Sequence, residues 1–144
     1  MSKISLDKGI AYEKKIAKKL SKVFGRHIVR TPDSGSISGK GDIIDPVNPL
    51  PIFIECKYSK AFRFGDLLND NSVLYNYWDK LLLQCPENQK PVLIFQGGHF
   101  FKDMVMLCEH YNYFYVLSFT TNYTTIFNYN KNIKFITLQN FLKI

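Results

Sequence analysis

Apolar side chains at Ile16, Leu20, Val23 and Phe24 recur at helical spacing, with Ile10 and Ala17 beside them. The pattern predicts a helix over residues 5–24, with Ser5 as its N-cap and Gly25 closing its C-terminus. Steps of 100° per residue bring Ile16, Ala17, Leu20 and Phe24 within about 60° of Glu13. Lys14, Lys15, Lys18, Lys19 and Lys22 fall on the far side. Glu13 thus points along the apolar stripe. That is costly for an ionised carboxylate unless a cation compensates it or it lies a turn beyond the packed region and meets water.

Farther along, His27–Arg30 reads as a short strand and residues 31–40, rich in Gly and Ser, as a loop. Gly41-Asp42-Ile43-Ile44 begins a strand, residues 45–51, with Pro46, Asn48 and Pro49, turn the chain, and Ile52–Tyr58 is a strong strand, so the two strands are expected to form a hairpin. Residues 65–85 carry a helical pattern that weakens across Asn69–Ser72, so the helix begins at 65 or near Asn71, and Pro86 ends it. Pro91–Phe95 reads as a buried strand broken by Gly97-Gly98. Met104–Cys108 and Tyr113–Phe119 read as strands, Ile126–Phe127 and Phe135–Ile136 as short ones, and Leu138–Leu142 as a helical turn. The order of elements predicts an α/β fold, a mixed central sheet flanked by helices, in a single domain over residues 1–144.

Composition narrows the class. Of the 144 residues 46% are hydrophobic and 22% charged, enough for a core and too balanced for a disordered tail. No apolar run approaches the ~20 residues of a membrane helix, and the polar start argues against a secretory signal. The expectation is a soluble cytoplasmic protein with no membrane partner; for a viral or phage source, the host cytoplasm. Cys56, Cys85 and Cys108 are odd in number and form no CxxC pair, which suits reduced thiols. His27, His99 and His110 lack metal-ligand spacing.

Charge changes the picture more. The net charge is +7, and residues 1–30 hold nine basic against two acidic side chains, so the whole excess lies there. A concentrated basic segment suits a polyanion, nucleic acid foremost, although a solvated lysine-rich helix face has the same composition.

Candidate chemistry gathers around the strand Ile52–Tyr58. Side chains alternate along it, so Glu55 and Lys57 share one face and Ile54 and Cys56 the other. In the expected hairpin, Asp42 comes near Glu55, and Glu13 faces inward from the first helix. Clustered carboxylates repel one another unless a divalent cation lies between them. A site of oxygens without His or Cys side chains suits Mg²⁺, with Mn²⁺ as its substitute. Such an ion polarises a phosphodiester and acidifies water, and a neighbouring lysine orients that water or holds the developing charge.

With these residues in view, the chain resembles the PD-(D/E)xK nuclease superfamily over about residues 8–96, closest to the archaeal-type and phage Holliday-junction resolvases. Glu13 is similar to that family's helix-one glutamate, Asp42 in Gly41-Asp42-Ile43 to its aspartate, and Glu55-Cys56-Lys57 to its ExK motif. Arg30 and Ser34-Gly35 resemble the Arg…Ser-Gly stretch of resolvases. Gly41 stands where the motif's name places proline. The resemblance implies a restriction-endonuclease-like fold. It implies that Asp42, Glu55 and the main-chain carbonyl of Cys56 bind Mg²⁺, with Glu13 completing or supporting the site. Lys57 would position the attacking water, while Arg30 and Ser34 contact the DNA backbone near the cut. Water would attack in line and leave a 5′-phosphate. It further implies a homodimer acting on branched DNA in recombination or repair. The lysines Lys14, Lys18, Lys22 and Lys40 are expected to contact DNA. Rival readings are a restriction- or repair-type endonuclease of the same fold and a non-catalytic nucleic-acid-binding protein on the same scaffold. Residues 100–144 match no motif. The aromatics Tyr75, Tyr77, Trp78, Tyr111, Tyr113, Phe114 and Tyr115 are expected to pack rather than stack on bases, and Gln96, which follows the buried strand, is a further candidate to approach the site.

Overall fold

The computed structural model describes residues 2–32, 40–108 and 126–142. Helix α1 spans Lys3–Phe24. Strands β1 (Val29–Arg30), β2 (Ile43–Ile44) and β3 (Ile52–Tyr58) follow, then a 3₁₀ turn at Phe64–Leu67 and helix α2 (Val73–Gln84). Strands β4 (Lys90–Gly97), β5 (Phe100–Cys108), β6 (Ile126–Asn128) and β7 (Ile133–Thr137) lead to a short helix, α3 (Leu138–Phe141).

The strands form one seven-stranded sheet in the order β1-β2-β3-β4-β5-β7-β6. Within it β3 and β4 run parallel, because α2 carries the chain back across the sheet between them; the other described pairs are antiparallel. This is the mixed α/β architecture that the order of elements predicts. The hairpin of β2 and β3 forms with Ile43 opposite Ile54.

Strand alternation divides the core into two layers. Ile54 and Cys56 of β3, Val92 and Ile94 of β4 and Val105 and Leu107 of β5 pack against Tyr12, Ile16, Ala17 and Leu20 of α1. On the opposite face Phe53, Leu93, Phe95, Met106 and Phe135 pack against Leu74, Tyr75, Trp78 and Leu81 of α2. The expected packing role holds for Tyr75 and Trp78, both fully buried.

Several boundaries differ from the expectation. Helix α1 starts at Lys3, and its N-cap is Ser2, whose hydroxyl accepts the Ser5 N–H at 3.2 Å; Ser5 lies inside the first turn. Gly25 closes the helix in the left-handed conformation, as expected. The weak centre of the 65–85 pattern is a real break: Asn69–Ser72 separates the 3₁₀ turn from α2, and Asn69 Oδ1 accepts the Asn71 N–H to make the local turn. Strand β5 begins at Phe100 rather than Met104, because Gly97-Gly98 turns the chain directly from β4 into it. The expected strand 113–119, the aromatics of 111–115 and His110 lie outside the described residues. All three cysteines are free thiols.

Candidate active site

Asp42 is placed by its backbone before its side chain acts. Its N–H donates to the Ile54 carbonyl and its own carbonyl accepts the Thr31 N–H, each at 2.8 Å. Gly41 makes this approach possible. Its φ is +72°, and a Cβ there would lie 2.8 Å from the Ile54 oxygen. A proline, locked near −65°, could not adopt that backbone, so the glycine is a geometric requirement of this hairpin. The Asp42 carboxylate is buried, and its Oδ2 accepts the Cys56 N–H at 2.8 Å.

Glu55 lies on the face of β3 away from Ile54 and Cys56, and its carboxyl is hydrogen-bonded to that of Asp42. Burial pushes the Glu55 pKa up to about 8, helped by the Asp42 charge, the hydrogen bond to Asp42 and, more weakly, Glu13; Lys57 acts in the opposite direction. Two carboxyl groups this close repel one another when both are ionised, and that repulsion adds to the cost of burying Glu55. Lys57 leaves the same face as Glu55, half-buried, with Nζ 4.7 Å from the centroid of the Tyr77 ring on α2. This cation–π contact holds the ammonium group under α2, near enough to Glu55 to lower its pKa.

Glu13 and Arg30 face each other. Glu13 Oε2 lies 2.5 Å from Arg30 Nε, and both side chains are largely buried. Arg30 reaches this position because it pairs with Ile43 and so shares the α1 side of the sheet. Among the described residues no three or more His, Cys, Asp or Glu side chains converge as a metal site would require. The geometry thus joins Asp42, Glu55 and Lys57, with Glu13 reaching Glu55 through its charge. The Cys56 thiol is buried on the α1 side and pushed well up by burial, which makes it a packing group rather than a thiolate.

The remaining predicted residues are dispersed. Ser34 lies outside the described residues. Lys40 is exposed two residues before Asp42 and lines a separate hollow with Asp45 and Gln89. Lys14 and Lys18 are exposed on α1; Lys22 joins Lys15, Lys19 and Lys102 around a cavity of about 640 Å³. Gln96 sits beside Tyr58 in the sheet and lines that cavity, on the α1 side.

The structure also shows a buried polar group that the sequence reading did not single out. Asp103, 7% exposed, accepts the Tyr12 hydroxyl at 3.0 Å and lies 2.5 Å from Lys19 Nζ. Burial, and then the Asp103 charge, hold the Tyr12 phenol far above its ordinary range. The signal was present in the phase of β5, since Asp103 shares its parity with the buried Val105 and Leu107.

No curated protein and no solved structure matches the chain. A family model described as "Phage putative PDDEXK endonuclease" matches residues 5–143, a span that takes in Glu13, Asp42, Glu55 and Lys57, and the chain belongs to this family of PD-(D/E)xK nucleases.

Proposed function

We propose that the protein is a divalent-metal-dependent DNA endonuclease whose centre is Asp42, Glu55 and Lys57, and that its preferred substrate is branched DNA such as a four-way junction. The observation that carries the first part is the Asp42–Glu55 pair: two adjacent, largely buried carboxyl groups that repel each other, with Lys57 as the cation beside them. A small hard cation fits this oxygen donor set, and Asp42 and Glu55 would hold it, supported by the Cys56 main-chain carbonyl and Glu13. When bound, such an ion supplies Lewis-acid polarisation of a phosphodiester and lowers the pKa of water. Lys57, on the same face, supplies a fixed positive charge for the developing oxyanion and a donor to orient the attacking water. Arg30, beside Glu13, and the exposed lysines of α1 supply contacts to the DNA backbone.

Preference for junctions, and action as a homodimer, rest on the order Glu13…Arg30…Asp42…Glu55-x-Lys57 that the chain shares with resolvases. A purely DNA-binding role leaves the uncompensated carboxyl pair without a use. The test is cleavage of supercoiled plasmid, of a four-way junction and of its component duplexes with Mg²⁺ or Mn²⁺. Wild type should cut, the junction fastest, whereas Asp42→Asn and Glu55→Gln should bind without cutting. Binding without cutting by wild type in either metal would overturn the nuclease reading. Equal rates on junction and duplexes would overturn the junction preference alone.

A further inference from the structure

The basic cavity beside α1 lies on the side of the sheet opposite Glu55 and Lys57. Lys15, Lys19, Lys22 and Lys102 line its walls, and Gln96 and Phe101 line its far end. The same Gln96 and Phe101 line a second hollow of about 380 Å³, which reaches Tyr58 and Lys60 at the end of β3. The two hollows share Gln96 and Phe101, and between them their linings take in the α1 lysines, Tyr58 and Lys60. Asp103, the acidic residue in this lining, is already compensated by Lys19 and the Tyr12 hydroxyl.

At the junction of the hollows Phe101 is 89% exposed. The backbone that presents it is rigid. The Phe101 carbonyl accepts from Gln96 Nε2 at 2.9 Å, the His99 N–H donates to the Phe62 carbonyl at 2.9 Å, and the Ser59 N–H donates to the Gln96 carbonyl at 3.1 Å. The turn before it is pressed so closely on Ser59 and Phe62 that a Cβ at Gly97 or Gly98 would collide with their carbonyl oxygens. An aromatic ring held in water by a fixed turn, amid five lysines, matches the two components of single-strand recognition: a charged groove for the backbone and a ring for the bases. Duplex bases are stacked on one another and offer no free face to such a ring.

We infer that this groove binds an unpaired DNA strand, with Phe101 stacking on a base and Lys15, Lys22, Lys60 and Lys102 neutralising its phosphates. The inference builds on the nucleic-acid reading above and assigns the groove a job distinct from the cut: it holds a single-stranded arm or displaced strand of a branched substrate along the α1 side of the sheet.

The test is equilibrium binding in EDTA, where no cleavage occurs, of an oligothymidylate about 15 nucleotides long, within the site sizes common for single-strand binders, and of a duplex of equal length. Wild type should bind the single strand. Phe101→Ala should weaken single-strand binding roughly tenfold, the scale of one base–aromatic stack, while duplex binding and the thermal midpoint stay unchanged. The double variant Lys15→Ala/Lys102→Ala should flatten the salt dependence of single-strand binding by about one unit of slope. Single-strand affinity unchanged in Phe101→Ala, or lost equally for duplex, would overturn the assignment, and so would an unaltered salt slope. Because the readout needs no catalysis, failure here leaves the Asp42–Glu55 reading intact, and failure of that reading leaves this result interpretable.

Discussion

Two buried carboxylate sites in this protein solve the same electrostatic problem in opposite ways. Asp103 is compensated from within the chain: Lys19 supplies the charge and Tyr12 a hydroxyl donor, and the group ties α1 to β5. Asp42 and Glu55 face each other, and burial together with the Asp42 charge pushes the Glu55 pKa up to about 8. Lys57 is on the same face but spends part of its attraction on the Tyr77 ring. A carboxylate satisfied by its own protein is a structural tie, whereas the adjacent pair left short of positive charge is where we propose that a cation from solution binds.

The largest effect separating the two sites should be on activity. Asp42→Asn or Glu55→Gln should lower the rate of phosphodiester cleavage by at least ~10³-fold, the scale of losing a core catalytic group, while Asp103→Asn should leave metal-dependent cleavage measurable. Steady-state assays on a four-way junction make this comparison. A Glu55→Gln variant that cuts at a wild-type rate would erase the distinction.

Stability against pH should separate them next. The folded-state pKa of Glu55 is raised from 4.5 to about 8, so over that window the folded chain keeps a proton that the unfolded chain has released. Its contribution is therefore present below about pH 4.5 and lost as pH rises through about 8. Metal-free protein should lose stability across this window in urea titrations, and saturating Mg²⁺ or the Glu55→Gln substitution should remove that part of the slope. A slope of the opposite sign in wild type would contradict the assignment.

At the compensated site Tyr12→Phe removes a donor to a buried carboxylate and should cost about 1–3 kcal/mol, read by urea denaturation, with metal binding retained. A loss of metal binding in proportion would join the two sites into one. The smallest effect concerns the exposed face of α1. Replacing Lys14, Lys18 and Lys22 by Ala should flatten the salt dependence of DNA binding by up to about one unit of slope per lysine. An unchanged slope would move the duplex to another face.

Much of this was legible in sequence because strand geometry is strict. Alternation along Ile52–Tyr58 separates Glu55 and Lys57 from Ile54 and Cys56, and the structure keeps that division. Glu13 was legible as inward-facing, since Ile16, Ala17 and Leu20 mark the same stripe and all are buried. Its ion pair with Arg30 was not, because it depends on how β1 pairs with β2. Asp103 escaped notice for a related reason. Starting the strand at Met104 left the aspartate outside the alternation, whereas starting it at Phe100 puts Asp103 in phase with Val105 and Leu107. Tyr12 completes that site from 91 residues away, a distance no local pattern spans. The reason for Gly41 was also tertiary: its positive φ and close approach to Ile54 exist only once β2 and β3 have met.

The central claim is tested most directly by calorimetric titration of Mn²⁺ into metal-free protein at pH 7, repeated in buffers of different ionisation enthalpy. A cation between Asp42 and Glu55 needs both carboxylates ionised, so with the Glu55 pKa pushed up to about 8 its binding should release close to one proton per ion, and Glu55→Gln should abolish that release. Tight binding with no proton released, or the same release from Glu55→Gln, would contradict the account.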